Sequence, residues 1–238
     1  TPFSPWGLRV ATRAPLTSGP AFRSGLVEIQ DEGSQLVALL VDARPGSRVC
    51  DFCAGAAGKA LALAAMMDNR GQLVACDVNA KRLEASARRL RRAGAHNVER
   101  HLLVAGDKWA KRHAGGFDRV LVDAPCSGTG TWRRNPDARL RLTGQDVAEL
   151  VQRQAAILDH AAPLVRAGGR LVYATCSLLA EENEAQVSAF LDRHPAFAML
   201  PVRQVWALAA PETGDFLILS PLRHGTDGFF AAVLERHP

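Results

Sequence analysis

From Arg48 onward the chain alternates short apolar runs with longer stretches of helical spacing, and this alternation restricts its folding more than any other feature. RVCDF, QLVACDV, VERHLLV, DRVLVDA and RLVYATC, starting at residues 48, 72, 98, 118 and 170, are apolar on both faces and predict strands buried in a parallel sheet. Between them KALALAAMM, AKRLEASARRLRRAG and GQDVAELVQRQAAILDHAAPLV carry helical periodicity, with Gly94 placed to stop the second. AEENEAQVSAFLDRH reads as a further helix, and DFLILSP and GFFAAVLE as two closing strands in an antiparallel hairpin at a sheet edge. Seven strands interleaved with helices predict a doubly wound α/β fold with a mostly parallel sheet. Upstream, DEGSQLVALLVDA predicts a helix with Ser34 as its N-cap. Pro2, Pro5, Pro15 and Pro20 make residues 1–30 an extended arm before a single domain over 31–238.

The 238 residues, 47% hydrophobic and 22% charged, suffice for one such domain with a sizeable core. No apolar run approaches the roughly 20 residues that span a bilayer, and no signal pattern opens the chain, so a cytoplasmic protein without membrane attachment is expected, working as a monomer. The first residue is Thr rather than an initiator Met, which leaves room for a preceding segment. Five cysteines, an odd number, argue against a disulfide framework. Cys50 and Cys53 form a C-x-x-C, but no second cysteine or histidine pair completes a zinc set, so no metal is expected.

Net charge is +5, unevenly spread: residues 81–141 hold 15 Lys and Arg against 6 Asp and Glu. ARRLRR, KWAKRH and WRRNPDARLR are the clusters. One alone would be a solvated helix face, but three in one segment point to a phosphate-rich partner, which binds with release of condensed counterions.

Ligands of open α/β sheets bind at the carboxyl ends of the strands, near the point where strand order reverses. The first strand is followed by DFCAGAAGK, a small-residue loop that lets backbone amides approach a ligand. It is not a P-loop, which needs Gly in place of Cys53 and Ser or Thr in place of Ala60. The second strand ends in Asp77, suited to accept hydrogen bonds from ribose hydroxyls or to cap the next helix. Asp107, after the third strand, could accept from an adenine amino group. Glycine loop, ribose carboxylate and adenine carboxylate follow in the order expected for S-adenosylmethionine lying across the strand ends. The fourth strand then delivers Asp123, Pro125 and Cys126 in LVDAPCSGTG, and the fifth delivers Cys176 in YATCS. Two thiols on one rim beside a methyl-donor site point to function, although a single buried Cys would be inert by default.

EIQDEGSQLVALL, DFCAGAAGK, ACDVNAKRL, VLVDAPCSGTGTWRRNPD, LVYATCSLLAEENEAQV and HGTDGFFAAVL together resemble the RsmB/NSUN-type RNA cytosine-5 methyltransferases, from Glu28 to Leu234. The resemblance implies a class I, Rossmann-like methyltransferase fold that uses S-adenosylmethionine. It implies donor contacts from Cys53, Ala54, Gly55, Ala56, Ala57, Gly58 and Lys59, and from Asp77, Arg82, Asp107 and Asp123. It also implies Cys176 as nucleophile and Cys126 as the group that assists product release, with Asp123 and Lys59 beside them, and ribosomal RNA as substrate. One departure stands out. Where the family reads C-A-A-P-G-G-K this chain has CAGAAGK, and Ala57 puts a methyl group where Gly would supply a left-handed conformation.

The chemistry suits these residues. A thiolate adding to carbon 6 of cytosine breaks the ring's aromaticity and makes carbon 5 able to attack a sulfonium methyl, and Lys59 or local dipoles would favour that thiolate. Cys126, or water it orients, suits the acid/base step that follows. Asp123 suits either the cytosine edge or the donor's amino group. A base must leave its stack to enter such a pocket, which favours single-stranded or locally opened RNA. Arg133 and Arg134 are expected to grip flanking phosphates, with surface ion pairs as the plainer alternative. The rivals are a DNA cytosine-5 methyltransferase, opposed by the cysteine in YATCS, and a catalytically silent RNA-binding protein, supported only by the altered loop. A nicotinamide oxidoreductase lacks its glycine fingerprint.

Overall fold

The computed structural model describes residues 1–12, 14–208, 210–211 and 213–238. Its centre is a sheet whose parallel part runs through β1 (Arg48–Asp51), β2 (Gln72–Asp77), β3 (Val98–Leu102), β4 (Phe117–Asp123) and β5 (Val165–Thr175) in the order β3-β2-β1-β4-β5. The order reverses at β1 and β4, so the crevice expected for a ligand lies over Asp51 and Asp123. β8 (Phe229–Arg236) adds antiparallel to β5. On its far edge β6 (Phe197–Leu200) pairs with its C-terminal half and β7 (Leu217–Leu219) with its N-terminal half. Eight strands thus fill seven positions. The expected β7–β8 hairpin is present, and β6, which the sequence reading did not anticipate, completes the edge end to end with β7.

Alternation along the strands divides the core in two. Val49, Leu121, Val172, Ala174 and Val233 face one cluster, packed by α2 (Glu32–Leu40), α3 (Gly58–Met66) and α4 (Ala80–Arg92). Cys50, Val120, Val122, Tyr173 and Leu234 face the other, packed by α7 (Gly144–Ala161) and α8 (Glu184–Arg193). Burial on both faces is why β1, β2, β4 and β5 read as apolar runs; β3, expected to be buried like them, is the edge strand, with Glu99 and Arg100 exposed and its other residues half-buried. Asp31, not Ser34, caps α2, accepting from Gly33 N–H at 2.8 Å, while Ser34 lies in the first turn and its hydroxyl accepts from Gln30. α4 stops where Gly94 adopts φ +66°, as expected. α7 opens with a capping box between Thr143 and Asp146. Shorter helices α5 (Trp109–Arg112), α6 (Pro136–Arg141), α9 (Val202–Val205) and α10 (Pro221–His224) fill connections.

Residues 1–30 are not wholly extended: a short turn at Leu16–Ser18 and α1 (Pro20–Arg23) interrupt them. They lie over a groove of about 1370 Å³ against α3, away from the cysteines. Glu28 ties this arm to α4, accepting from Arg89 at 3.3 Å and from Arg92, whose guanidinium also sits 3.8 Å over the Phe22 ring. Two arginines of the ARRLRR cluster are therefore internal ties rather than free surface charge. Glu28→Ala should release the arm while the domain keeps its stability to within about 1 kcal/mol. Limited proteolysis should cleave before residue 28 several-fold faster, and urea denaturation should show a nearly unchanged midpoint.

Candidate active site

Parallel pairing of β4 with β5 sets Asp123 opposite Ala174, so both strands deliver their following loops to one rim. There the Cys126 and Cys176 sulfurs lie 3.4 Å apart. The two thiols are not equivalent. The hydrogen bond with Cys126 holds the Cys176 thiol below its ordinary pKa, against burial and the Asp123 charge, with a smaller favourable effect of Lys59. Cys126 is pushed up, first by that same bond to Cys176 and then by burial. The contact thus favours ionisation of Cys176 before Cys126. Lys59, one of the groups expected to favour the Cys176 thiolate, acts in that direction, but the partner thiol contributes more.

Lys59, in the first turn of α3, donates to Asp123 Oδ2 at 2.6 Å and sits 5.2 Å over the Phe229 ring. Asp123 Oδ1 has no hydrogen bond among the described residues and is left to the crevice. Asp77 accepts from Gly55 N–H at 2.7 Å and from Asn79 N–H at 2.6 Å, while Asn79 caps α4. The carboxylate thus fixes the glycine loop and is not the helix cap. The loop itself runs through Gly55 at φ +54° and Ala57 at φ +62°. A left-handed alanine costs roughly 1–2 kcal/mol. The chain accepts this because the Ala57 methyl is fully buried in the α3-side core, turned away from the rim. Arg89 Nη1 supports the neighbouring Ala56 carbonyl at 2.9 Å.

Asp107 accepts from His101 at 2.7 Å and from Trp109 N–H at 2.7 Å, and the His101 contact holds its carboxyl below the usual range. Arg82 stands exposed on the first turn of α4. Arg133 and Arg134, both about half exposed, pair with fully buried Asp227: Arg134 Nε donates to Oδ2 at 2.6 Å, and Arg133 lies 3.5 Å from Oδ1. The plainer ion-pair alternative therefore describes part of what they do.

Asp51, at the head of the DFCAGAAGK loop, has no role that the sequence motif alone assigns. It ends β1, is buried, and neither carboxylate oxygen finds a hydrogen-bond partner among the described residues. Burial, then the Asp123 and Asp77 charges, push its pKa up to about 7, with Lys59 opposing. A buried, unpartnered carboxylate is costly unless a ligand's donor satisfies it. The folded chain holds this proton up to about pH 7 while the unfolded chain loses it near 4, so Asp51 makes the ligand-free protein progressively less stable as pH rises through that window. Asp51→Asn should accordingly raise the melting temperature at pH 8 and change it little at pH 4.

Residues 38–235 match the family described as 16S rRNA methyltransferase RsmB/F. Ribosomal RNA small subunit methyltransferase B of Photorhabdus laumondii is 36% identical over 242 residues, covering 99% of this chain and 53% of that protein. The Thermus thermophilus protein of that name is 41% identical over 209 residues, 87% of this chain and 49% of its own length. The chain thus spans about half the length of the curated relatives it matches. NSun6 from Pyrococcus horikoshii, solved with SFG, superposes with a TM-score of 0.83 at 26% identity, covering 95% of this chain and 57% of that one.

Proposed function

This chain belongs to the RsmB/F family of 16S rRNA methyltransferases, and on that premise we propose that it methylates carbon 5 of a cytosine in ribosomal RNA, using S-adenosylmethionine and a covalent bond to Cys176. The observation that carries the reading is the thiol pair, 3.4 Å apart, in surroundings that lower the pKa of Cys176 and raise that of Cys126.

The residues around the crevice fit the donor. Unsatisfied Asp51 suits an ammonium group, Asp77 a ribose diol, and the open backbone between Cys53 and Gly58 an approaching amino-acid moiety. Asp107 and Arg82, on the same side of the sheet switch point, suit the adenosine end. Bound there, the donor supplies an electrophilic sulfonium methyl group.

The Cys176 thiolate adds to carbon 6 of the target cytosine, and carbon 5 gains the electron density needed to take the methyl. Lys59 holds Asp123 by one oxygen, so the other is aimed at the amino edge of the base, where it orients the ring and offsets charge as it develops. Forming the carbon–sulfur bond removes the negative charge on Cys176 that had been holding the Cys126 proton in place. Cys126 then releases its proton to water more readily, and its thiolate takes the carbon 5 proton, directly or through a second water. The electrons of that C–H bond restore the ring double bond and expel Cys176 as thiolate. Arg133 and Arg134, fixed at their inner ends by Asp227, present their exposed faces to flanking phosphates. Residues 31–238 form the catalytic unit in this reading, and residues 1–30 its arm.

Cys126→Ala should leave a protein–RNA adduct that survives denaturing electrophoresis, and Cys176→Ala should form none. Adduct from the second variant would reverse the roles. Calorimetry with millimolar S-adenosylmethionine showing no binding would remove the enzyme reading altogether.

A further inference from the structure

The residues on both sides of each thiol are tied to one buried dipeptide, Glu182–Asn183, which precedes α8. The Glu182 carboxylate accepts from the Ser127 backbone N–H at 2.9 Å and the Ser127 hydroxyl at 2.5 Å. It also accepts from Gln154 Nε2 at 2.9 Å, which donates in addition to the Pro125 carbonyl at 3.0 Å. Pro125 and Ser127 are the two neighbours of Cys126. Asn183 treats the second thiol likewise: Thr175 Oγ1 donates to its Oδ1 at 2.6 Å, and its Nδ2 donates to the Ser177 carbonyl at 3.0 Å. Thr175 and Ser177 are the two neighbours of Cys176.

The dipeptide is itself immobilised. Tyr173, fully buried in β5, donates its hydroxyl to the Glu182 carbonyl at 2.6 Å. Cross-links between the loops complete the frame, with the Ser127 and Ser177 hydroxyls 3.1 Å apart. Glu182 is wholly buried, yet no Lys, Arg or His pairs with it among the described residues; its partners are all neutral donors. A buried carboxylate without a counter-charge is a poor way to fill space. What it offers is three directed acceptor contacts at fixed geometry.

We propose that Glu182 and Asn183 are positioning residues, each holding the loop of one thiol, so that together they set the distance between the Cys126 and Cys176 sulfurs. This rests on the reading above that the two thiols act as a pair. An S–H contact at 3.4 Å leaves little slack, because hydrogen bonds weaken steeply with distance and angle. Loosening either loop should therefore cost Cys176 its thiolate character without touching the donor crevice.

The test is the pH dependence of Cys176 alkylation by iodoacetamide, followed on its own peptide by mass spectrometry, with S-adenosylmethionine affinity measured in parallel. Cys126→Ala and Glu182→Ala should both move the alkylation midpoint up by about one pH unit, slowing reaction at pH 7 about tenfold. Donor affinity should stay unchanged in Glu182→Ala. Glu182→Gln retains an acceptor for the Ser127 N–H and offers an amide to its hydroxyl, so it should restore the native profile. A native profile in Glu182→Ala beside a shifted one in Cys126→Ala would overturn the positioning role alone. A native profile in Cys126→Ala would overturn the thiol pairing, and the positioning role with it. If Glu182→Ala does not fold, Ser127→Ala carries the test with the carboxylate in place: an upward shift supports the role, and a native profile overturns it.

Discussion

The register between β4 and β5 is the constraint from which the site follows. Because Asp123 pairs with Ala174 in parallel, the chain leaves both strands in the same direction within a residue of the same height. An antiparallel pair would have sent the two loops to opposite edges. Parallel pairing is available only because α7 supplies the crossover between them, and α7 also lends Gln154 to the loop that follows β4. One topological choice thus brings two thiols, separated by fifty positions in the chain, into sulfur–sulfur contact.

Around that contact the molecule tolerates local disfavour. Among the described residues Asp51 finds no partner and Glu182 no cation, and Ala57 holds a left-handed backbone. Each lies next to the rim, and none lies at the opposite ends of the strands. Of the three, Asp51 is the group a ligand can complete, since Glu182 already accepts three hydrogen bonds. Left-handed Asp42, Asp68 and Asn69 and the unpartnered Asn97 Oδ1 and Arg119 Nε show that such disfavour also occurs away from the rim. Stability is supplied by the two apolar clusters on either face of the sheet.

Much of this was legible in the sequence because it is local. Apolar runs marked β1, β2, β4 and β5, Gly94 marked the end of α4, and the placement of Asp77, Cys126 and Cys176 at or after strand ends marked the rim. β6 was illegible: four residues, mostly half buried on a sheet edge, carry no clear alternation. The cap of α2 was misplaced because Ser34 and Asp31 offer equivalent chemistry and only backbone geometry selects Asp31. Charge pairing was hidden for a different reason. Glu28 meets Arg89 and Arg92 across 61 and 64 positions, and Asp227 meets Arg134 across 93, so a count of basic residues overstated what faces solvent. Asp51, Glu182 and Asn183 were invisible as site residues because their roles depend on which polar atoms reach them once the sheet has formed.

Gly130 donates its N–H to the Cys176 carbonyl, and Gly228 donates to the Gly130 carbonyl, both at 2.9 Å. A Cβ on Gly130 would fall 2.4 Å from the Gly228 carbonyl oxygen, and one on Gly228 would fall 2.8 Å from Gly130 Cα. The start of the last strand is thereby threaded against the loop that follows Cys126, backbone to backbone. The tail of the chain is consequently part of the wall against which the chemistry in its middle is built. A side chain on either glycine would press on the backbone of the other, which has no side chain to give up, so only a new path for the loop or the strand could make room for it.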